Sequence, residues 1–341
     1  MKSIIVKTYL ILLILISGCL KDSPVLQANI EKNNSADILI YLESHGDFIN
    51  SSEMPSLITS DTVYNNLSDF IIVDIRQTSD FTAGHIQNAV NILHTNLYDF
   101  VSSQVPTKTI VIVSTNGQAG SYYTGLLRLA GFTNVFALKY GMASWNIDFA
   151  NSWILNDQPS TNFNNRIYNK SVISSLPEIN FSNSEGNIKD KIKGRIKELM
   201  SLLFTDIFSS NISVTVNDLN TIYSSINGDY LNTYIVCYGQ NQGEYFLGQN
   251  GQLSNPGHLP TAVYYQANNF GASDLRSTTF LQTIPSNKEI VVYSKIAHSS
   301  AFITAYLRLL GHNAKSLLFG MRWRFGFDIS EVKNYPYVTG S

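Results

Sequence analysis

The sequence predicts an α/β fold that is built twice, each copy having a parallel β-sheet covered by helices on both faces. Short β-branched apolar runs alternate with amphipathic helical segments, which is the pattern of parallel sheets with helical crossovers. The same order of segments is repeated in the second half of the chain. The repeat is much longer than the repeat unit of a solenoid protein, so it indicates a duplicated domain. A chain of 341 residues is also long for a single domain.

The composition supports folded cores and argues against nucleic-acid binding. Hydrophobic residues make up 44% of the chain and charged residues 14%, which is unlike a disordered chain. The 23 basic and 25 acidic residues give a net charge of −2. Because no basic excess is available to neutralise a phosphate backbone, nucleic acid is not an expected partner.

The first residues indicate export and lipidation. Lys2 and Lys7 precede a short apolar run over residues 8–16, which is too short to span a bilayer unaided. Residues 16–19 (ISGC) resemble the bacterial lipobox, in which small residues precede a cysteine that is lipidated. We expect a signal peptide over residues 1–18, a lipid anchor on Cys19 and a location on a membrane of the cell envelope. An ordinary secretory signal and an N-terminal membrane helix are the alternatives.

The elements of the first half follow the signal and a polar tether over residues 19–35. We assign residues 36–155 to the first domain. Apolar periodicity and β-branched runs predict helices at 36–43 and 120–130 and strands at 70–74, 109–113 and 134–138.

An Asn- and Ser-rich stretch over residues 156–190 is interpreted as an interdomain linker or an extended wrap. The second domain is assigned to residues 191–335. Its expected elements are helices at 189–204 and 301–310 and strands at 234–237 and 289–293.

The two halves share short motifs at corresponding places. A Gly-His pair, an apolar strand ending in serine, a Leu-Arg-Leu helix end and a Gly-Met turn occur in both: Gly84-His85 and Gly257-His258, Ser114 and Ser294, residues 127–129 and 307–309, Gly141-Met142 and Gly320-Met321.

These motifs resemble the signatures of the rhodanese homology family. Residues 73–76 (VDIR) with Gly84-His85 are similar to its first signature, and residues 136–142 with Trp145 are similar to its closing one. In the second half, Cys237-Tyr238-Gly239 stands in place of Asp-Ile-Arg. The resemblance implies two doubly wound α/β domains with central parallel sheets. It also implies a loop that begins with a catalytic cysteine, carries a sulfane sulfur as a persulfide and holds its anionic substrate with backbone N–H groups.

Serine occupies that cysteine position in both halves, at Ser114 and Ser294. A hydroxyl is far from ionisation at neutral pH and forms no persulfide, so we expect no catalytic residue in either loop. The candidate anion-binding loops are Ser114, Thr115, Asn116, Gly117, Gln118 and Ala119 in the first half, and Ser294, Lys295, Ile296, Ala297, His298 and Ser299 in the second. Lys295 and His298 are expected to strengthen binding in the second loop, with His298 protonated as the pH falls toward about 6.

The remaining candidate residues are two histidines and a cysteine. His85 and His258 are interpreted as structural residues, and Cys237 as a small core residue, with a thiol nucleophile as its alternative. No histidine or cysteine spacing fits a metal site, and no cofactor is expected. The sequence thus favours a non-catalytic module that binds a small anion or an envelope protein. The alternatives are a sulfurtransferase-type enzyme and a subunit of an envelope sulfur or redox complex.

Lipidation of Cys19 is directly testable. Mass spectrometry of the protein from a membrane fraction should find a mature N-terminus at Cys19 with a diacylglyceryl group, because that thiol is the acceptor in the lipobox reaction. Recovery of a soluble mature protein that begins at another residue would overturn this expectation.

Overall fold

The computed structural model describes residues 34–105, 107–155, 166–181, 186–225, 229–247, 257–321 and 329–340. The predicted signal peptide and Cys19 lie outside these ranges. Among the described residues, no helix is both long and apolar enough to cross a membrane.

Both halves contain a five-stranded sheet in which every strand pair is parallel. The first comprises β1 (Leu57–Ile58), β2 (Phe70–Asp74), β3 (Val90–Asn91), β4 (Thr109–Val113) and β5 (Val135–Leu138), in the order β1-β5-β4-β2-β3. The second comprises β6 (Ser213–Val214), β7 (Thr233–Tyr238), β8 (Val263–Tyr265), β9 (Glu289–Tyr293) and β10 (Asn313–Leu317), in the order β6-β10-β9-β7-β8. The two orders are the same once each sheet is counted from its own first strand, which confirms the predicted α/β duplication.

Helices cover the sheets and join the halves. They are α1 (Asn34–Ser44), α2 (Ser60–Asn65), α3 (Thr78–Ala83), α4 (His94–Ser103), α5 (Gln118–Leu129), α6 (Met142–Trp145), α7 (Asn151–Leu155), α8 (Ile188–Met200), α9 (Val216–Ser224), α10 (Gln242–Leu247) and α11 (His298–Leu309). Helix α8 buries an apolar stripe that includes Ile192, Ile196 and Leu199.

One hydrophobic core runs through both halves, because α5 packs against α11. Every residue of α5 is buried. The helices approach closely at Gly125, where an added Cβ would lie 3.1 Å from Phe302 and 3.2 Å from Ala305. A contact of this kind belongs to a single packed unit and not to two loosely tethered domains.

The halves also exchange their ends, because a segment near each end of the described chain contacts the opposite half. At the N-terminal side, Glu43 accepts the backbone N–H of Ser277, and Asp47 pairs with Arg276. At the C-terminal side, Val338 forms an antiparallel bridge with His85 of the first half. The exchange adds specific polar contacts to the shared core. The hydrophobic pattern of the sequence does not predict these contacts.

The described part of the predicted linker is a wrap packed on folded structure. Ser174 donates its backbone N–H to the carbonyl of Gln282, and Asn34 donates to the carbonyl of Ile179. Residues 188–190 already belong to α8. Of the two interpretations of this stretch, the extended wrap describes residues 166–181.

Substitution of Gly125 tests the shared core. Gly125→Leu should lower the free energy of unfolding by about 1–3 kcal/mol, because the added side chain must separate two packed helices. The matched control is Gly194→Leu on α8, where the glycine is exposed and nothing lies within 4 Å of an added Cβ. In that control, the free energy of unfolding should rise by up to about 1 kcal/mol, because leucine has a higher helix propensity than glycine. Equal stability of the two variants in chemical denaturation would contradict a close helix contact.

Candidate functional site

Each candidate loop begins where a central strand ends and continues into one of the two packed helices. In the first half, the Ser114 hydroxyl accepts hydrogen bonds from the backbone N–H groups of Gly117 at 3.0 Å and Gly120 at 3.1 Å. In the second half, the Ser294 hydroxyl accepts the N–H of Ser300 at 3.0 Å. Both serines are buried. Each hydroxyl therefore organises the start of its helix instead of facing solvent.

The Gly-Met turns hold the loops from the other side. The turn residues Tyr140 and Phe319 both have φ of 61°, and the glycines that follow them both have φ of 55°. A Cβ on Gly141 would lie 2.2 Å from the carbonyl oxygen of Ser114, and one on Gly320 would lie 2.3 Å from that of Ser294. Glycine is required at both turns because the loop backbone occupies the space of any side chain.

A reciprocal pair of hydrogen bonds joins the two halves at these turns. His298 Nε2, at the start of α11, accepts the backbone N–H of Tyr140 at 2.9 Å. Gln118 Oε1, at the start of α5, accepts the backbone N–H of Phe319 at 2.6 Å. Both side chains are fully buried. The first residue of each helix thus satisfies a donor in the turn of the other half.

This geometry assigns His298 a different role from the anion ligand expected from the sequence. Its Nδ1 lies 2.7 Å from the carbonyl of Ile296, so Nδ1 carries the proton and Nε2 is the acceptor. Burial lowers the pKa of His298 to about 4. The expected protonation near pH 6 is therefore wrong, since the ring is neutral there.

The charged residue of the second loop, Lys295, is half-exposed. Lys295 lies 3.5 Å from Glu244, which offsets part of its charge. Ala297 adopts φ of 62° where the first loop has Gly117 at 86°. The loop therefore keeps the same left-handed bend despite its alanine, at some conformational cost.

The first loop encloses an aspartate, Asp206, that was not among the residues predicted for the site. Asp206, which precedes β6 of the second half, receives the N–H of Asn116 at 2.9 Å on one carboxylate oxygen. The N–H of Ala119 lies 2.5 Å from the other oxygen. The aspartate is 5% exposed. Because it is distant in sequence and lies in an irregular segment, no periodicity or motif signals its position.

Cys237 belongs to a structural pair that replaces an ion pair. In the first half, Arg76 pairs with Asp74 at 2.6 Å and donates to the carbonyl of Gly84. In the second half, the Cys237 thiol donates to Gln240 Oε1, and Gln240 donates to the carbonyl of Gly257.

A neutral pair therefore supports the same Gly-His segment that the charged pair supports in the first half. Burial raises the pKa of Cys237 to about 12, so its reactive thiolate is scarce at neutral pH. Both observations favour the core interpretation of this cysteine over the nucleophile.

The two Gly-His histidines occupy equivalent structural positions. His85 stacks on Phe81 with ring centroids 3.7 Å apart, and its Nδ1 bonds the Phe81 carbonyl. His258 stacks on Tyr245 at 3.9 Å and bonds the Tyr245 carbonyl in the same way. Within the described part of the chain, no cluster of three potential metal ligands is found.

Part of the chain is similar in sequence to known proteins. A family model described as a rhodanese-like domain matches residues 59–148. The uncharacterized protein YibN of Escherichia coli is 32% identical over 83 residues, which cover 24% of this chain and 58% of YibN. The thiosulfate sulfurtransferase GlpE of Shewanella oneidensis is 32% identical over 75 residues, which cover 22% of this chain and 74% of GlpE. Among solved structures, the 3-mercaptopyruvate sulfotransferase SseA from Escherichia coli is 17% identical with a TM-score of 0.27, covering 77% of this chain and 97% of its own.

The buried, neutral His298 predicts that the folded protein loses stability in acid. The pKa of His298 is lowered from 6.5 to about 4, and burial lowers that of His312 to about 4 as well. Stability present above pH 6.5 should therefore be lost as the pH falls toward 4, by on the order of 3 kcal/mol for each histidine. His298→Gln copies the side chain of Gln118 and keeps an acceptor that does not titrate. Denaturant titrations at pH 7 and pH 4.5 should show that the free energy of unfolding falls about half as much in this variant as in the parent chain. An unchanged decrease would contradict the assignment.

Proposed function

Since the chain belongs to the rhodanese-like domain family, we propose that it is a non-catalytic member held at the cell envelope by a lipid on Cys19. The observation that carries the proposal is the serine at the head of each loop. The Ser114 and Ser294 hydroxyls are buried and accept backbone N–H groups at the starts of α5 and α11. This arrangement stabilises the loops but supplies no sulfur atom that could form a persulfide.

The position of the loops supports a binding role. A loop at the N-terminus of a helix offers backbone N–H donors and the positive end of the helix dipole, neither of which depends on a cysteine. We propose that the second loop retains affinity for a small anion such as thiosulfate, sulfate or phosphate, with Lys295 at its rim. An envelope protein that presents an anionic group is a partner of matching chemistry.

The rival function is sulfur transfer, which the name of the GlpE relative suggests. It would require another nucleophile, and Cys237 is the only cysteine among the described residues. Its burial and its raised pKa oppose that role.

Thiosulfate-to-cyanide sulfur transfer separates the two functions. The purified full chain should show no turnover above the buffer blank, because neither serine can carry a sulfane sulfur. GlpE of Shewanella oneidensis serves as the positive control. Turnover that survives Cys237→Ala would refute the proposed chemistry, and turnover abolished by that substitution would make Cys237 the nucleophile.

A further inference from the structure

The first loop is occupied by part of the chain itself. Two backbone N–H groups of the loop bind the two carboxylate oxygens of Asp206, and the Asn116 side chain donates to the backbone carbonyl of Asp206 at 2.7 Å. Three donors from one loop therefore recognise both the side chain and the main chain of a single residue. A buried carboxylate requires such donors, because its desolvation is otherwise very costly.

The segment around Asp206 is fixed to the first half at several other points. Tyr123 donates its hydroxyl hydrogen to the carbonyl of Leu202 at 2.8 Å and accepts the backbone N–H of Phe204 at 3.0 Å. His94 lies 2.6 Å from the carbonyl of Met200. Phe204 is buried beside Tyr122. We call residues 200–208 the plug, because they cover the mouth of the first loop.

The plug does not fill the site completely. A cavity of about 180 Å³ remains beside Asp206, bounded by Arg76, Ser114, Tyr123 and Ile207. Its volume would hold several water molecules, given a liquid volume of about 30 Å³ for each. Leu203 and Ile207 are each about half-exposed, so the outer side of the plug faces solvent. The site is therefore a partly open pocket and not a solid core.

The binding of Asp206 has opposing electrostatic contributions. Burial raises the pKa of its carboxyl group, while the N–H donors of Asn116 and Ala119 and the Ser114 hydroxyl act to lower it. An anion that arrived from solvent would need the same N–H donors. The aspartate and an external anion are thus mutually exclusive occupants of the first loop.

We propose that Asp206 is a built-in ligand of the first loop, which keeps that loop closed to external anions and to reagents until the plug is displaced. This inference concerns access to the first loop and does not depend on the absence of sulfur transfer. It assigns an autoinhibitory contact to an aspartate from the opposite half of the chain.

Anion binding provides the first test. Titration calorimetry with thiosulfate is performed on the full chain in a Lys295→Ala background, which weakens the second loop and isolates the first. Asp206→Ala should bind at least about tenfold more tightly than the background chain, because a site that is open one tenth of the time loses that factor in apparent affinity. The control is Glu198→Gln, which removes an exposed charge on α8 and should change nothing. Equal affinity with and without Asp206 would overturn the proposal.

Thiol labelling provides a second test that does not require Asp206→Ala to fold. Ser114→Cys places a thiol beneath the plug. Its rate of reaction with iodoacetamide is measured after the labelling of the parent chain is subtracted. In an otherwise unchanged chain it should react at least about tenfold more slowly than the same thiol in urea. The isosteric Asp206→Asn, which presents an amide N–H₂ to the N–H donors, should accelerate the reaction. Rapid labelling of native Ser114→Cys would show that the loop is open and would refute the plug.

Discussion

The packing of α5 against α11 is the contact on which the rest of the molecule depends. Each helix begins at a candidate loop. The packing of the two helices therefore also buries the two loops between the halves. Buried backbone donors in these loops then need acceptors. Asp206 of the second half accepts N–H groups of the first loop, and His298 and Gln118 accept N–H groups of the adjacent Gly-Met turns across the interface. The loops consequently serve the assembly of the two halves.

Groups that would be reactive or charged are replaced by neutral or buried ones throughout this region. Serine stands at both loop heads, and the Cys237–Gln240 pair takes the structural place of the Asp74–Arg76 ion pair. Neutral hydrogen bonds avoid the desolvation cost of burying charges. The buried carboxylate of Asp206 is compensated by two backbone N–H donors of the first loop.

The sequence predicted the parts of the fold that depend on local pattern. Central strands such as β2, β4 and β9 are largely apolar and β-branched, and their positions were predicted to the residue. The apolar periodicity of α5 and α11 predicted those helices to within three residues at each end. The two-residue strands β1, β3 and β6 at the sheet edges have too few residues to form a pattern and were missed, and the longer strands β8 and β10 were missed as well.

The candidate site was predictable only in part. Both loops follow their strands as expected, because that placement depends on motif spacing. The roles of Asp206 and His298 depend on contacts between residues 90 and 158 positions apart in the chain, which no window of sequence contains. The exchange of chain ends was hidden for the same reason.

Amide hydrogen exchange of the first loop tests the central claim most directly. If Asp206 occupies the loop, the amides of Asn116 and Ala119 should exchange as slowly as those in β4, since both are buried and bonded to the carboxylate. Their NMR signals should also remain unmoved when thiosulfate is added to the parent chain. Rapid exchange of these two amides, together with thiosulfate-dependent shifts, would show an open anion site and contradict the account.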